Sequence, residues 1–416
     1  MKQQREILAA WVLPICGPPL KNAMIRLRGD KILEIGSASQ VPQLDQRFVV
    51  LPGLVNAHSH LEFSDLEMPL GRPDSSFTQW VTEVIQYRLL QDKLADRQQR
   101  KDAAIGRGID ESFEHGVKLI GEIATRPWAS PAYDNDDVRV VVQLEQLGFA
   151  ASQAEERFAE VDAARSKMAK VFEEVGLSPH APYSVSPQLL AKIIVSAIES
   201  KSVVSMHLAE SKEEMQFLET RSGPFAKLLE RLNLLGPEWQ LANIDFCLRE
   251  LSECPRGLVI HANYLSERQL DFLASYPNLS VVYCPRTHDY FGHREIPVDG
   301  MIQRGIRIAV GTDSRASNPD LDLLEELRSI RRKFAHLSSG EILRMGTLAG
   351  AEALGLDRQF GSLELGKAPG VLAVEFHEPV VENPEFAILA KPIKRRFLLD
   401  RPNPVAVSWR AAGGKR

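Results

Sequence analysis

The chain has 416 residues, 44% hydrophobic and 25% charged, with a formal net charge of −5. That composition fits a soluble globular protein, offers no basic surface for nucleic acid, and the length allows one large domain with an accessory. Four cysteines, Cys16, Cys247, Cys254 and Cys284, form no CxxC pair and are too few for a disulfide scaffold, which suits a reducing cytoplasm.

Lys2 and Arg5 precede an apolar run at 7–16 that resembles a leader core. Gly17, Pro18, Pro19 and Leu20 follow it in place of a small-residue cleavage site. The run is too short to span a membrane, and no other segment approaches the required length, so no membrane partner is expected. Residues 6–15 and 23–35 read as short strands around a turn at 17–19. Gly29 and Asp30 make the tight turn of a hairpin between 24–27 and 32–35.

The apolar run at 48–51 breaks at Pro52 and Gly53, resumes with Leu54 and Val55, and meets His58 and His60. On a short buried strand, side chains alternate with period two, so His58 and His60 share one side and Ser59 takes the other. Two imidazoles at a strand end, beside the small Asn56 and Ala57, are placed to bind one divalent metal. The alternative is one packed and one solvated histidine.

From about residue 51 to 358, strand-like runs at 117–120, 138–143, 175–178, 203–207, 257–261, 279–283 and 308–311 alternate with amphipathic stretches. The latter include 77–94, 98–114, 187–200, 212–219, 267–275 and 320–334. Such alternation implies parallel βα units, and its length predicts an α/β fold, a (β/α)8 TIM barrel. The tail from Gly361 to about Arg410 has apolar runs at 370–374, 387–390 and 404–408 among prolines and reads as β structure. The expected organisation is a barrel over 51–358, flanked by a small β-sandwich composed of 1–50 and 359–416.

In such a barrel the active site lies at the C-terminal strand ends. The predicted strands end in His58 and His60, in His207 with Glu210 close behind, in His261, and in Gly311, Thr312 and Asp313. His180 follows the strand at 175–178. Five of the ten histidines therefore fall at strand ends, with one glutamate and one aspartate. Each alone has a bland explanation: a packed histidine, a strand cap, an N-cap at Asp313, a solvated helix start at Glu210. Together they point to one metal site.

The runs PGLVNAHSHLE, SPHAPYSVSP, MHLAES, VIHANYLS and GTDSRASNPDLDLLEELR occur in this order, and GSLELGKAPGVLAV follows. The set resembles the strand-end motifs of the amidohydrolase superfamily, in the branch of cytosine, guanine, adenosine-type and triazine deaminases. The resemblance implies that His58, His60, His207 and Asp313 hold one divalent metal. It also implies that His261 contacts the attacking water or the substrate, that Glu210 shuttles protons, and that His180 faces the substrate. Three imidazoles and a carboxylate suit Zn²⁺, with Fe²⁺ the alternative. A metal there would lower the pKa of water toward neutrality for attack on a ring carbon that bears an exocyclic amine. Glu210, three residues past His207, is close enough to carry the proton to a ring nitrogen, and Asp313 could relay one to the departing ammonia. His261 would stabilise the water or the developing charge. The two-metal members carry a bridging lysine at the end of the fourth strand. Residues 175–183 contain no lysine, which favours one metal and deamination.

HSHLEFS followed by FTQWVTEVIQYR resembles the 6-aminodeoxyfutalosine deaminases, which implies an adenine nucleoside substrate with Glu62 and Trp80 lining its pocket. A core position on its amphipathic helix is the other reading of Trp80. The loop after the strand at 279–283 departs from the branch's CPxSN pattern: it reads Cys284, Pro285, Arg286, Thr287, His288, then DYFGH. Arg286, His288 and nearby His293 are expected to change what this loop recognises, or else to lie on the surface. The leading reading is a metal-dependent hydrolytic deaminase of a small amino-substituted heterocycle, with an adenine-type nucleoside such as aminodeoxyfutalosine the expected substrate. A dechlorinating or amide-cleaving hydrolase on the same scaffold is the alternative, and a non-catalytic metal-binding sensor stands further off. The helix at 320–334 has apolar surface that suits either a homodimer contact or packing on the barrel.

Overall fold

The computed structural model describes residues 4–37, 44–236, 240–294 and 296–399, and the backbone of 410–411. Three N-terminal strands, β1 (Gln4–Val12), β2 (Leu20–Arg28) and β3 (Lys31–Ser37), form an antiparallel meander. β4 (Phe48–Pro52) lies parallel to β1, with Trp11 opposite Val49. One residue, Gly53, separates it from β5 (Leu54–Ser59), the first strand of the barrel. A side chain at Gly53 would not fit: its Cβ would stand 2.3 Å from Lys118 Cγ and 2.8 Å from the Pro369 carbonyl oxygen.

Seven more parallel strands complete the barrel, each paired with the one before it: β6 (Val117–Ala124), β7 (Arg139–Gln146), β8 (Val175–Pro179), β9 (Val203–Leu208), β10 (Arg256–His261), β11 (Leu279–Tyr283) and β12 (Arg307–Val310). They are buried almost throughout because neither face meets water. Neighbouring residues on one strand serve two different cores. Leu258 and Ile260 pack with Val55, Leu119 and Val282, while Val259 packs with Val204, Met206 and Val281. The ring closes where the Asp313 amide donates to the His58 carbonyl at 3.1 Å, and Ser59 bridges Asp313. This is the (β/α)8 barrel that the alternating pattern predicts.

Between β5 and β6 run a 3₁₀ turn, Leu61–Phe63, and two long helices, α1 (Phe77–Asp92) and α2 (Arg97–Glu114). α1 starts at a capping box formed by Ser76 and Gln79. A helix at Ala154–Met168 went unread in the sequence. It buries only Ala154, Val161 and Met168 of its 15 residues, too sparse a stripe to register against the other apolar positions. The helix Leu323–Lys333 turns Leu323, Leu324, Leu327 and Ile330 into the protein.

β13 (Val371–Phe376) and β14 (Ile393–Leu398) return to the first sheet, in the order β14-β13-β4-β1-β2-β3, and β15 (Arg410–Ala411) pairs with β1. The apolar run at 387–390 is not a strand. It ends the helix Pro384–Ala390, with Ala387, Ile388 and Leu389 buried and Pro384 in the first turn, where its missing N–H costs nothing. The run at 404–408 lies outside the described residues. Among the described residues, no helix is long and apolar enough to cross a membrane.

Candidate active site

Five side chains from four strand ends meet at the C-terminal mouth of the barrel. His58, His60 and Asp313 form one group that could hold a metal ion, and His58, His207 and His261 an overlapping one, the donor atoms within each lying within 4.8 Å of one another. Asp313 Oδ1 stands 3.5 Å from His58 Nε2 and 3.6 Å from His60 Nε2. His60 Nε2 and His207 Nε2 are 3.3 Å apart. His207 Nδ1 lies 3.0 Å from the His180 carbonyl, which can only accept, so Nδ1 carries the proton and Nε2 presents a lone pair. Asp313 Oδ2 takes a hydrogen bond from Ser317 Oγ at 3.0 Å, which leaves Oδ1 for the imidazoles.

The electrostatics agree with neutral imidazoles around a charged carboxylate. Burial, then His58, pushes His60 well below the ordinary imidazole value, and the same causes act on His207. Burial lowers His261 against the pull of Asp313. At Asp313 burial acts to raise the carboxyl, but the facing imidazoles of His58, His60 and His261 outweigh it and hold the group well below the usual carboxylate range. The buried nitrogens His58 Nδ1 and Nε2, His60 Nδ1 and His261 Nε2 find no hydrogen-bond partner among the described residues. Unpaired buried nitrogens are costly, and lone pairs converging beside a carboxylate are what a divalent cation would satisfy. The donor set fits such an ion.

Glu210 follows β9 and is 5% exposed. Burial, then Asp313 and Glu214, raises its carboxyl well above the usual range. Its Oε1 lies 3.4 Å from His261 Nε2. His180 Nδ1 is 2.7 Å from Ser184 Oγ, which itself donates to the Ala181 carbonyl at 3.1 Å. Nδ1 is therefore the donor of that pair and Nε2 is bare; burial pushes this imidazole down to about 3.

The remaining sequence candidates are placed as follows. Glu62 accepts from Arg88 Nη2 at 2.6 Å and from Thr125 Oγ1 at 2.5 Å. It lines a cavity of about 510 Å³ between α1, α2 and the ends of β6 and β7, with Arg88, Lys101 and Glu145 also in the walls. Trp80 donates to the Ala316 carbonyl at 2.9 Å, stacks on Phe77 and meets the edge of Phe291; it is not in the walls of that cavity. Arg286 is engaged by Asp320 at 2.7 and 3.0 Å. His288 is buried, with Nδ1 3.1 Å from Asn263 Oδ1. Sequence reasoning missed Glu145, Glu214, Asn263 and Ser317. Only Glu214 had a readable signal, the S-x-x-E box that starts with Ser211.

Residues 49–397 match the amidohydrolase family. The chain belongs to that family. This amidohydrolase is thereby a hydrolase of C–N bonds, and the superfamily's chemistry rests on a divalent metal. It is 28% identical over 400 residues to a 5-methylthioadenosine/S-adenosylhomocysteine deaminase of Moorella thermoacetica, covering 88% of this chain and 85% of that one. It is also 28% identical over 343 residues to an aminodeoxyfutalosine deaminase of Nitratiruptor sp., covering 80% of each. Its fold matches the crystal structure of Helicobacter pylori aminofutalosine deaminase with a TM-score of 0.80 at 25% identity, over 95% of this chain and 98% of that one.

Proposed function

We propose that this amidohydrolase is a metal-dependent hydrolytic deaminase of an adenine-type nucleoside, with aminodeoxyfutalosine a fitting substrate. The observation that carries the reading is the Glu210–His261 pair, 3.4 Å apart, set beside a cluster of three imidazoles and a carboxylate. Deamination consumes water and releases ammonia, so a proton must leave the water and protons must reach a ring nitrogen and the departing amine. His58, His60, His207 and Asp313 would hold the metal, assigned as Zn²⁺ from the donor set with Fe²⁺ the alternative. When bound, the metal supplies Lewis acidity that brings the pKa of water toward neutrality.

Glu210 is the proton carrier. Its carboxyl is shielded from solvent, and its high affinity for a proton suits it to take one and hand it to the ring nitrogen. His261 is neutral and orients the attacking water through Nε2. Asp313, whose Oδ2 accepts from Ser317, relays a proton to the amine. His180 offers its bare Nε2 to an N–H of the base. Arg286 is left out of the substrate assignment because it is committed to Asp320. The four described cysteines are all free, in keeping with a reducing cytoplasmic setting.

The test is Glu210→Gln, assayed by ammonia release from a panel of adenine nucleosides with metal content measured alongside. We expect turnover to fall by about 10²–10⁴-fold, the usual worth of general acid–base catalysis, with metal retained. Turnover equal to that of the parent would refute the role. A panel in which guanine, cytosine or an aminotriazine alone releases ammonia would refute the nucleoside.

A further inference from the structure

The backbone around Glu210 is held from both sides. Glu214 Oε2 accepts the Glu210 amide at 2.6 Å and the Ser211 amide at 3.5 Å, while its Oε1 accepts the Ala209 amide at 3.1 Å. On the opposite side, Asn263 Nδ2 donates to the Glu210 carbonyl at 2.9 Å. That donation fixes the amide's orientation, so Asn263 Oδ1 faces His288 Nδ1 at 3.1 Å and must accept from it. The loops after β9 and β10 are laced together as well. The Ala262 amide donates to the Leu208 carbonyl, and the Tyr264 amide to the Ala209 carbonyl, each at 3.1 Å.

This lacing holds a backbone that would not adopt its shape unaided. Ala209, His261 and Ala262 have φ of 54°, 71° and 57°, left-handed values that non-glycine residues rarely take. Strain of this kind persists only where the surroundings over-determine it. Its product is the 3.4 Å approach of Glu210 to His261.

We infer that His288, acting through Asn263, and Glu214 are positioning residues that clamp the Glu210 peptide and so aim its carboxyl at the reacting atoms. The inference rests on the reading of Glu210 as proton carrier. It gives His288, the residue that breaks the CPxSN pattern, a task other than touching substrate. An imidazole Nδ1 and an asparagine Nδ2 are both bonded to Cγ, so asparagine at this position can present an N–H in the same place.

The test compares His288→Ala, His288→Asn, Asn263→Ala and the double variant His288→Ala/Asn263→Ala in the metal-loaded protein. A misplaced proton carrier should lower kcat by about tenfold to a hundredfold with KM unchanged in His288→Ala and Asn263→Ala. His288→Asn should restore most of kcat. In the Asn263→Ala background, His288→Ala should cost nothing further, because the route through Asn263 is already cut. Additive losses, a rise in KM, or failure of His288→Asn to rescue would each overturn the clamp.

Hydrogen exchange of the peptide that contains 209–211 gives a readout free of any substrate. It should quicken in His288→Ala and Asn263→Ala but not in His288→Asn, and unchanged exchange in all three would also overturn the inference. Glu210→Gln serves as the reference. If that variant keeps full turnover, the proton-carrier reading fails; if it loses turnover while the His288 and Asn263 variants do not, only the clamp fails.

Discussion

Gly311→Ala tests how tightly the barrel seam sets the metal site. An alanine Cβ would lie 2.7 Å from the His58 carbonyl oxygen, 2.8 Å from His58 Cβ and 3.0 Å from its amide nitrogen. Ordinary contact begins at 3.4 Å, so β5 and β12 must part by 0.7 Å (3.4 − 2.7). Neither side yields easily. The His58 carbonyl already accepts the Asp313 amide, and Asn56 Oδ1 accepts the Thr312 amide at 3.1 Å while Asn56 Nδ2 donates to Thr312 Oγ1 at 2.8 Å. Overpacking of a core costs about 1–3 kcal/mol and a weakened buried hydrogen bond about 1 more, for a total of about 2–4 kcal/mol.

The same displacement separates His58 from Asp313, now 3.5 Å apart, so metal affinity should fall together with stability. Denaturant unfolding of the metal-stripped protein and chelator competition read the two effects separately. Gly36→Ala is the control, since nothing lies within 4 Å of its added carbon. A Gly311→Ala protein whose stability and zinc affinity both match the parent would refute the reasoning.

Ser317→Ala removes the hydroxyl that holds Asp313 Oδ2 and should weaken metal binding by about 10–100-fold with little change in apo stability; equal affinity in chelator competition would count against that role. Glu326 is fully buried, and burial pushes its carboxyl up to about 8 despite the opposing pull of Arg286. The folded chain then keeps a proton that the unfolded chain has lost. The contribution of Glu326 to stability should be fullest below about 4.5 and decline as pH rises to about 8, at up to about 1.4 kcal/mol per unit. Glu326→Gln should flatten this decline by one proton's worth, read by denaturation at pH 5, 6, 7 and 8, and an unaltered slope would show that Glu326 is ionised throughout.

The convergence of His58, His60, His207, His261 and Asp313 was legible because each residue falls at the end of an apolar run, and so many polar residues at strand ends have no common explanation in packing or capping. Periodicity of two places His58 and His60 on one side, and the closing bridge from Ser59 to Asp313 brings the last strand back to the first. Loop chemistry was less legible, since the path of a loop is not written in local pattern. Arg286 and His288, read as loop residues, lie on the short helix Pro285–Tyr290, and their partners Asp320 and Asn263 come from loops elsewhere in the chain. β14 was missed because Lys394, Arg395 and Arg396 give an edge strand the composition of a solvated loop. Trp80 carried two readings, and the structure gives it a carbonyl partner and two aromatic neighbours on the rim.

The single-residue joint at Gly53 has a consequence for how the protein is made. The ribosome delivers β4 early and its antiparallel partner β13 late, with every barrel strand in between. Throughout that interval one edge of β4 is bare, although β4 is all but continuous with the strand that carries His58. A bare apolar edge invites pairing with another chain, and pairing at long sequence separation is slow. Chains cut short before Val371 should therefore accumulate as aggregate during expression instead of as a smaller working enzyme.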